Sequence, residues 1–342
     1  MAAAYSDREI LLINPYPAAG PADLAGNVAA NRVLRLMQNH GAPAPTDFLA
    51  RQIQHALASG LGRPVRLERR PRQRMFEAHR FVAHSTPDGH TLLLSGDAPI
   101  LVEPQRAGAG TFDPAGSLTP VALIARMPVV MIMAPQSGLR RIEDFMAGAH
   151  RRPGRLHYGS SGEFSASHLA GAWFEQISGV HMTHVAYNGG AAAVNAVLSS
   201  QVESAFVVLP AALPYLRNGR VAALGIAAAE RHPALPELPT FPELGLPGIE
   251  AAAWYGLFVP AGTPREVVKR IESEIASGLY TERSRGQWLN QGFQPTHIGS
   301  EDFAQMLRLE RRKRAGLFDE TGMREGLRPV SSSRSPPVAS LR

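Results

Sequence analysis

The chain contains no cysteine. Disulfides, thiol nucleophiles and thiolate metal sites are therefore excluded together. The absence suits an oxidising compartment without demonstrating one. Long hydrophobic runs are also missing. A bilayer span needs about 18 apolar residues, whereas the longest candidates, Pro128–Ala134 and Val121–Ala125, have the length of strands. A secretory signal needs a basic start, an apolar stretch of about 7–15 residues and a small-residue cleavage site. Residues 1–22 offer only Ile10–Ile13, so no signal peptide is visible. The chain is then either cytoplasmic or preceded by an export segment upstream of Met1. An excess of one charge is small as well: 35 basic against 29 acidic residues, net +6, with much of it in Arg69–Arg74 and Arg311–Arg314. No helix-turn-helix, zinc-finger or RNP pattern accompanies those clusters, so no nucleic-acid partner is expected. A mildly positive field favours small anionic ligands.

What is present is an alternation. Its 342 residues suffice for about two domains. Strand-like runs fall at Glu9–Ile13, Pro64–Glu68, His90–Gly96, Val129–Ala134, Arg155–Ser160, His184–Asn188, Glu203–Val208, Ala222–Ala228 and Trp254–Pro260. Stretches with apolar residues three or four apart separate most of them, which predicts α/β architecture with largely parallel sheets. Thr263-Pro264-Arg265-Glu266 reads as a helix start with Thr263 as N-cap. Val267, Val268, Ile271 and Ile275 form its apolar stripe, and Gly278 its stop. A second helix is expected from Ser300, with Phe303, Met306 and Leu307 inward. Residues 329–342, rich in Ser, Pro and Arg, are expected to be disordered. "GPADLAG" (20–26) is echoed by "APTDFLA" (44–50), and the second copy has the better helical stripe.

Three loops, each after a strand-like run and before a helix-like one, consist of small residues: Tyr16–Asp23, Gly159–Ser167 and Asn188–Ala193. N–H groups at a helix N-terminus carry about half a positive charge and hold carboxylates without a basic side chain. Glycine and alanine admit the ligand to the backbone; Ser160, Ser161 and Ser165 add hydroxyl donors. Catalytic patterns are absent. Gly159 and Gly162 are three apart rather than the four of a nucleophile elbow. His181 and His184 fall on opposite faces of an extended segment, so no metal site is expected. "YNGGAAAV" lacks both Gly-x-Gly-x-x-Gly and a Walker lysine. Trp173 is expected in a core, and Trp254 and Tyr255 either in a core or at a hinge or cleft rim.

The segments "PVALIARMPVVMIMAP", "LHYGSSGEFSASHLAGAWFEQISGV", "HVAYNGGAAAVNAVLSSQVESAFVVLPAALPYLRNGRVAALGIA", "RHPALPELPTFPELGLPG" and "AWYGLFVPAGTP" follow one another in order, after "TPDGHTLLLSG" at 86–96. In sequence and spacing they resemble the Bug family of solute-binding proteins, the receptors of tripartite tricarboxylate transporters, over about residues 9–325. The resemblance implies a two-lobed type II periplasmic-binding-protein fold with hinge strands. Lobe one would be 1–124 plus 248–328, and lobe two 125–247. It also implies a periplasmic location, a monomer, no enzymatic activity, no cofactor, a small carboxylate ligand and membrane permease subunits as partners. Matched to the family's loops, the ligand-binding residues would be Tyr16, Ala18, Ala19, Gly20 and Asp23 in the first. The second would supply Gly159, Ser160, Ser161, Ser165 and His168, and the third Tyr187, Gly189, Gly190 and Ala191.

The chain departs from the family in three places. It carries two Pro-x-Asp segments rather than one, with Asp47, not Asp23, at the usual distance from Leu61–Val65. Either copy is compatible with the helix after strand one, and the first is preferred as the contact loop. Arg69–Met75 replaces a glycine-rich turn, and Val207 stands where the family has an aspartate. The missing carboxylate makes plain carboxylates better expected ligands than amino acids. A sensor or adaptor that keeps the fold and works through a protein partner is the other reading.

Overall fold

The computed structural model describes residues 8–16, 45–70, 76–102, 112–138, 141–187 and 189–320. Ten strands are described: β1 (Ile10–Asn14), β2 (Val65–Arg69), β3 (Thr91–Gly96), β4 (Leu118–Met133), β5 (His157–Ser160), β6 (Thr183–Ala186), β7 (Ser204–Val208), β8 (Ala222–Ala227), β9 (Ala252–Pro260) and β10 (Gln294–Gly299). The helices are α1 (Pro45–Leu61), α2 (Phe76–Ala83), the short α3 (Pro114–Ser117), α4 (Ile142–Arg151), α5 (Ala166–Ser178), α6 (Gly190–Leu198) and α7 (Leu209–Arg217). Three more close the described chain: α8 (Arg265–Leu279), α9 (Glu282–Asn290) and α10 (Ser300–Glu320).

The strands join in the order β2-β1-β3-β9-β4-β7-β5-β6, with β10 and β8 also on β4. β1 is parallel to β2 and β3, and β5 is parallel to β6 and β7. Strand β4 organises everything else. Leu118 to Pro128 pair with β9, whereas Val129 to Met133 pair with β7 on one edge and β8 on the other. One strand thus serves two half-sheets. Each half is covered on both faces, so β1 reads as a nearly continuous apolar run. Leu12, Leu57 and Leu257 fill one core of the first half, and Ile13, Leu93 and Phe303 the other. In the second half Val129, Met131 and Met133 enter one core and Val130 and Ile132 the opposite one, the period-two alternation of a strand. Full burial of such side chains contributes about 1.5–3 kcal/mol each.

Several expectations shift. The run expected at Val129–Ala134 is only the end of a 16-residue strand. Pro120 and Pro128 concealed its first part; the register slips after Pro120, and Pro128 is the last residue paired to β9. Polar β10 went unread. Thr263 is not the N-cap of α8: Pro264 is, while Thr263 is buried and donates its hydroxyl to Pro260 O at 2.8 Å. Gly278 does not stop α8 but lies inside it, where a Cβ would stand 2.6 Å from Ala56 Cβ, so it lets α8 approach α1. The expected helix from Ser300 forms, with Phe303 and Leu307 buried. Residues 329–342 lie outside the described residues.

Candidate functional site

Strand direction decides which loops face each other. Val208, at the C-terminal end of β7, pairs with Val129, and β5 and β6 run parallel to β7. Gly96, at the C-terminal end of β3, pairs with Tyr255, which also pairs with Ala125. The C-terminal ends of β1 and β3 therefore point at those of β5, β6 and β7 across the place where β4 changes partner. Open α/β sheets bind ligands outside such ends.

In the second half-sheet the loop after β5 is tightly wired. Ser161 N–H donates to Ser167 Oγ at 2.9 Å, and Gly162 N–H to Ser160 Oγ at 3.2 Å. Ser165 Oγ caps α5 by accepting His168 N–H at 3.3 Å and donates to Gly162 O at 2.7 Å. Gly162, at φ 130°, takes a conformation that side chains resist. The loop after β6 closes on it: Tyr187 N–H donates to Ser160 O at 3.1 Å, and Gly189 N–H to Ser161 O at 3.2 Å. The Tyr187 ring covers Gly159, where a Cβ would stand 3.1 Å from Cε2. Gly189 starts α6 at φ 94° and offers no capping side chain.

These contacts leave donors in one place. The first bond to the N-cap carbonyl comes from Ala193 N–H to Gly189 O, so Gly190, Ala191 and Ala192 have no intrahelical acceptor. Beside them, Ser161 Oγ is fully buried with no hydrogen-bond partner among the described residues. A Cβ on Gly190 would stand 3.4 Å from it. A buried hydroxyl without a partner costs about 1–3 kcal/mol.

Beneath the loop lie two histidines that sequence reasoning treated separately. The rings of His168 and His184 stack at 3.8 Å with 4° between planes. His168 Nδ1 accepts Phe164 N–H at 2.9 Å, and His184 Nε2 lies 2.7 Å from Ser160 Oγ. Burial pushes both down to about 4, and His168 lowers His184 further while Glu163 opposes it. Both are neutral at pH 7. Their contact crosses from β6 to α5, so no local pattern announced it.

In the first half-sheet, Tyr16 OH accepts Gly96 N–H at 2.8 Å, and its ring meets Tyr255 edge-on at 5.4 Å. Burial raises both phenols, and the neighbouring Asp97 raises them further. Ser95 reaches Tyr16 from one side and His79 Nε2, at 2.8 Å, from the other. Ser95, Asp97 and His79 were not foreseen. Ala18, Ala19, Gly20 and Asp23 lie outside the described residues. The second Pro-x-Asp copy forms α1, a helix between β1 and β2, and Arg69 holds Asp47 through bonds of 2.9 and 2.8 Å with Asn14 at 3.4 Å. Among the described residues no cluster of three or more His, Asp or Glu is arranged to hold a metal ion.

Residues 49–323 match the tripartite tricarboxylate transporter family receptor. The chain belongs to that family. BugT of Bordetella pertussis is 27% identical over 278 residues, 81% of this chain and 85% of BugT. A Rhodopseudomonas palustris protein solved with adipate is 26% identical, with TM-score 0.75 over 92% of this chain and 97% of its own. MatC from Rhodopseudomonas palustris, with bound malate, is 27% identical, with TM-score 0.69 over 89% and 97%. The two half-sheets on β4 are thus the lobes of a type II periplasmic-binding-protein fold. Within this receptor family fold, Ser161 and the start of α6 lie on the side of one lobe that faces the other. No helix among the described residues is long and apolar enough to cross a membrane.

Proposed function

We propose that this family member is an extracytoplasmic receptor that captures a small carboxylate between lobe one (1–124 plus 248–328) and lobe two (125–247) and delivers it to the permease subunits of a tripartite transporter. The observation that carries the reading is the buried Ser161 hydroxyl, without a hydrogen-bond partner among the described residues, beside the N–H groups of Gly190, Ala191 and Ala192, which have no intrahelical acceptor. Together they form a neutral donor set for one carboxylate. Adipate and malate in two related structures belong to the same ligand class. Tyr16, Gly159, Tyr187 and Gly189 shape the walls, while Ser165 and His168 hold the loop from behind. Binding without chemistry fits Ser160, whose hydroxyl lies 2.7 Å from His184 Nε2, accepts Gly162 N–H and lies 3.1 Å from Gly162 O, so it is taken up in holding the loop. Neutral donors also suit release, since a buried ion pair is hard to separate.

Calorimetry with adipate, malate, succinate and citrate tests this. Saturable binding of at least one, weakened about tenfold in Ser161→Ala by loss of a hydrogen bond to a charged group, is expected. At 100 times Kd the ligand adds about 2.7 kcal/mol of stability. A wild-type protein that binds none of the four at millimolar concentration refutes the reading and favours a sensor or adaptor.

A further inference from the structure

A cavity of about 690 Å³ lies where the two lobes join; it touches the loop after β5 only at Ala166, and neither Ser161 nor the start of α6 lines it. Its floor is a row across three strands. Arg126 on β4 pairs with Trp254 on β9 and with Gln294 on β10, and directly paired residues project from the same face of a sheet. One wall is α10, where Glu310 Oε2 accepts the Trp254 indole N–H at 3.1 Å. The other wall is α5 of lobe two, with Leu169 and the half-buried Trp173. Glu230 and Glu250 stand exposed at the rim.

Arg126 is the group that asks for a ligand. It is half-buried and forms no ion pair with a described residue; its one hydrogen-bond contact is to the Met306 thioether sulfur, at 3.4 Å. A thioether is a weak acceptor and a guanidinium carries five donors in a planar fork. A carboxylate fills that fork with two parallel bonds. The half-buried indole of Trp173 is available to an apolar or aromatic body, while Trp254, 2% exposed, backs the floor. The rim glutamates select what the far end carries: a second carboxylate meets like charge, whereas an ammonium is attracted. The volume lies within the range of small-ligand sites.

We propose that this cavity is a second binding site, for a small zwitterion of amino-acid type with an apolar body, its carboxylate on Arg126 and its ammonium toward Glu230 and Glu250. The site is independent of the carboxylate cradle at Ser161 and prefers a different charge pattern.

L-Phenylalanine is the probe, followed by calorimetry and by quenching of the emission of the chain's three tryptophans, with phenethylamine, 3-phenylpropanoate and adipate as comparisons. Saturable phenylalanine binding is expected, about tenfold weaker for 3-phenylpropanoate and undetectable for phenethylamine. Arg126→Gln and, independently, Trp173→Leu each weaken phenylalanine at least tenfold and leave adipate affinity unchanged; Ser161→Ala leaves phenylalanine affinity unchanged. Adipate binding in both variants also shows that they are folded, and it tests the Ser161 cradle separately. The assignment is overturned by absent phenylalanine binding at millimolar concentration, or by 3-phenylpropanoate binding as tightly as phenylalanine. It is equally overturned by phenylalanine affinity that survives both cavity substitutions or falls in Ser161→Ala.

Discussion

Acidification should loosen this protein through the stacked pair under the Ser160–Ser161 loop. His168 and His184 are held down to about 4 by burial, against an ordinary value of 6.5. Between those values the unfolded chain binds protons that the folded chain refuses. Stability is therefore full above about pH 6.5, falls as pH drops toward 4, and changes no further from this source below that. For a histidine moved from 6.5 to about 4 the whole effect is about 3 kcal/mol, and linkage gives about 2 kcal/mol by pH 5. His184 contributes less, because it is only partly buried and solvent screens its charge. Urea unfolding followed by circular dichroism at pH 7 and pH 5 measures the loss. The double variant His168→Asn, His184→Gln removes the titration while keeping polar partners for Phe164 N–H and Ser160 Oγ. Glu175, raised by burial, and His232, lowered by burial, titrate in both proteins and cancel in the comparison. Wild type should lose about 2–3 kcal/mol more than the variant. Equal losses in the two proteins would refute the assignment of neutral, buried rings.

Arg69→Met leaves the Asp47 carboxylate, 8% exposed in its side chain, with only Asn14 nearby, and should cost about 2–3 kcal/mol in chemical denaturation. Adding Asp47→Asn should recover part of that loss; no recovery contradicts a charge-pair origin. Gly171→Ala places a Cβ 2.2 Å from Tyr158 Cε2 in a filled core. Overpacking of about 1–3 kcal/mol outweighs the helical gain of about 1 kcal/mol, so the melting temperature should fall. Tyr16→Phe deprives Gly96 N–H of its acceptor and should cost about 1–3 kcal/mol. Faster hydrogen exchange at that amide is the direct readout.

Apolar, β-branched runs announced most strands because both faces of each half-sheet are covered, and β1, β3 and β7 carried that signal almost undiluted. Where pairing rather than composition makes the strand, the signal failed. β10 is Gln-Pro-Thr-His-Ile-Gly and exists because β4 offers it an edge. The start of β4 hid behind Pro120. In the candidate site, glycines and serines marked the loops at 159–167 and 189–193, since their conformations are local properties. The His168–His184 stack, the Tyr16–Tyr255 contact and the Arg126–Trp254–Gln294 row were not legible. Each joins residues brought together by strand order alone. Ser165, expected to offer its hydroxyl to a ligand, also caps α5 by accepting His168 N–H, a second role that the sequence reading did not give it.

The two chain segments that cross between the halves are laced together. Val129 N–H donates to Ala251 O at 2.9 Å, and Ala251 N–H in turn donates to Ala227 O at 3.0 Å. Crossing segments bonded to each other in this way are held in register, so any movement of one half against the other must bend both together, as a door on one pin rather than a ball in a socket.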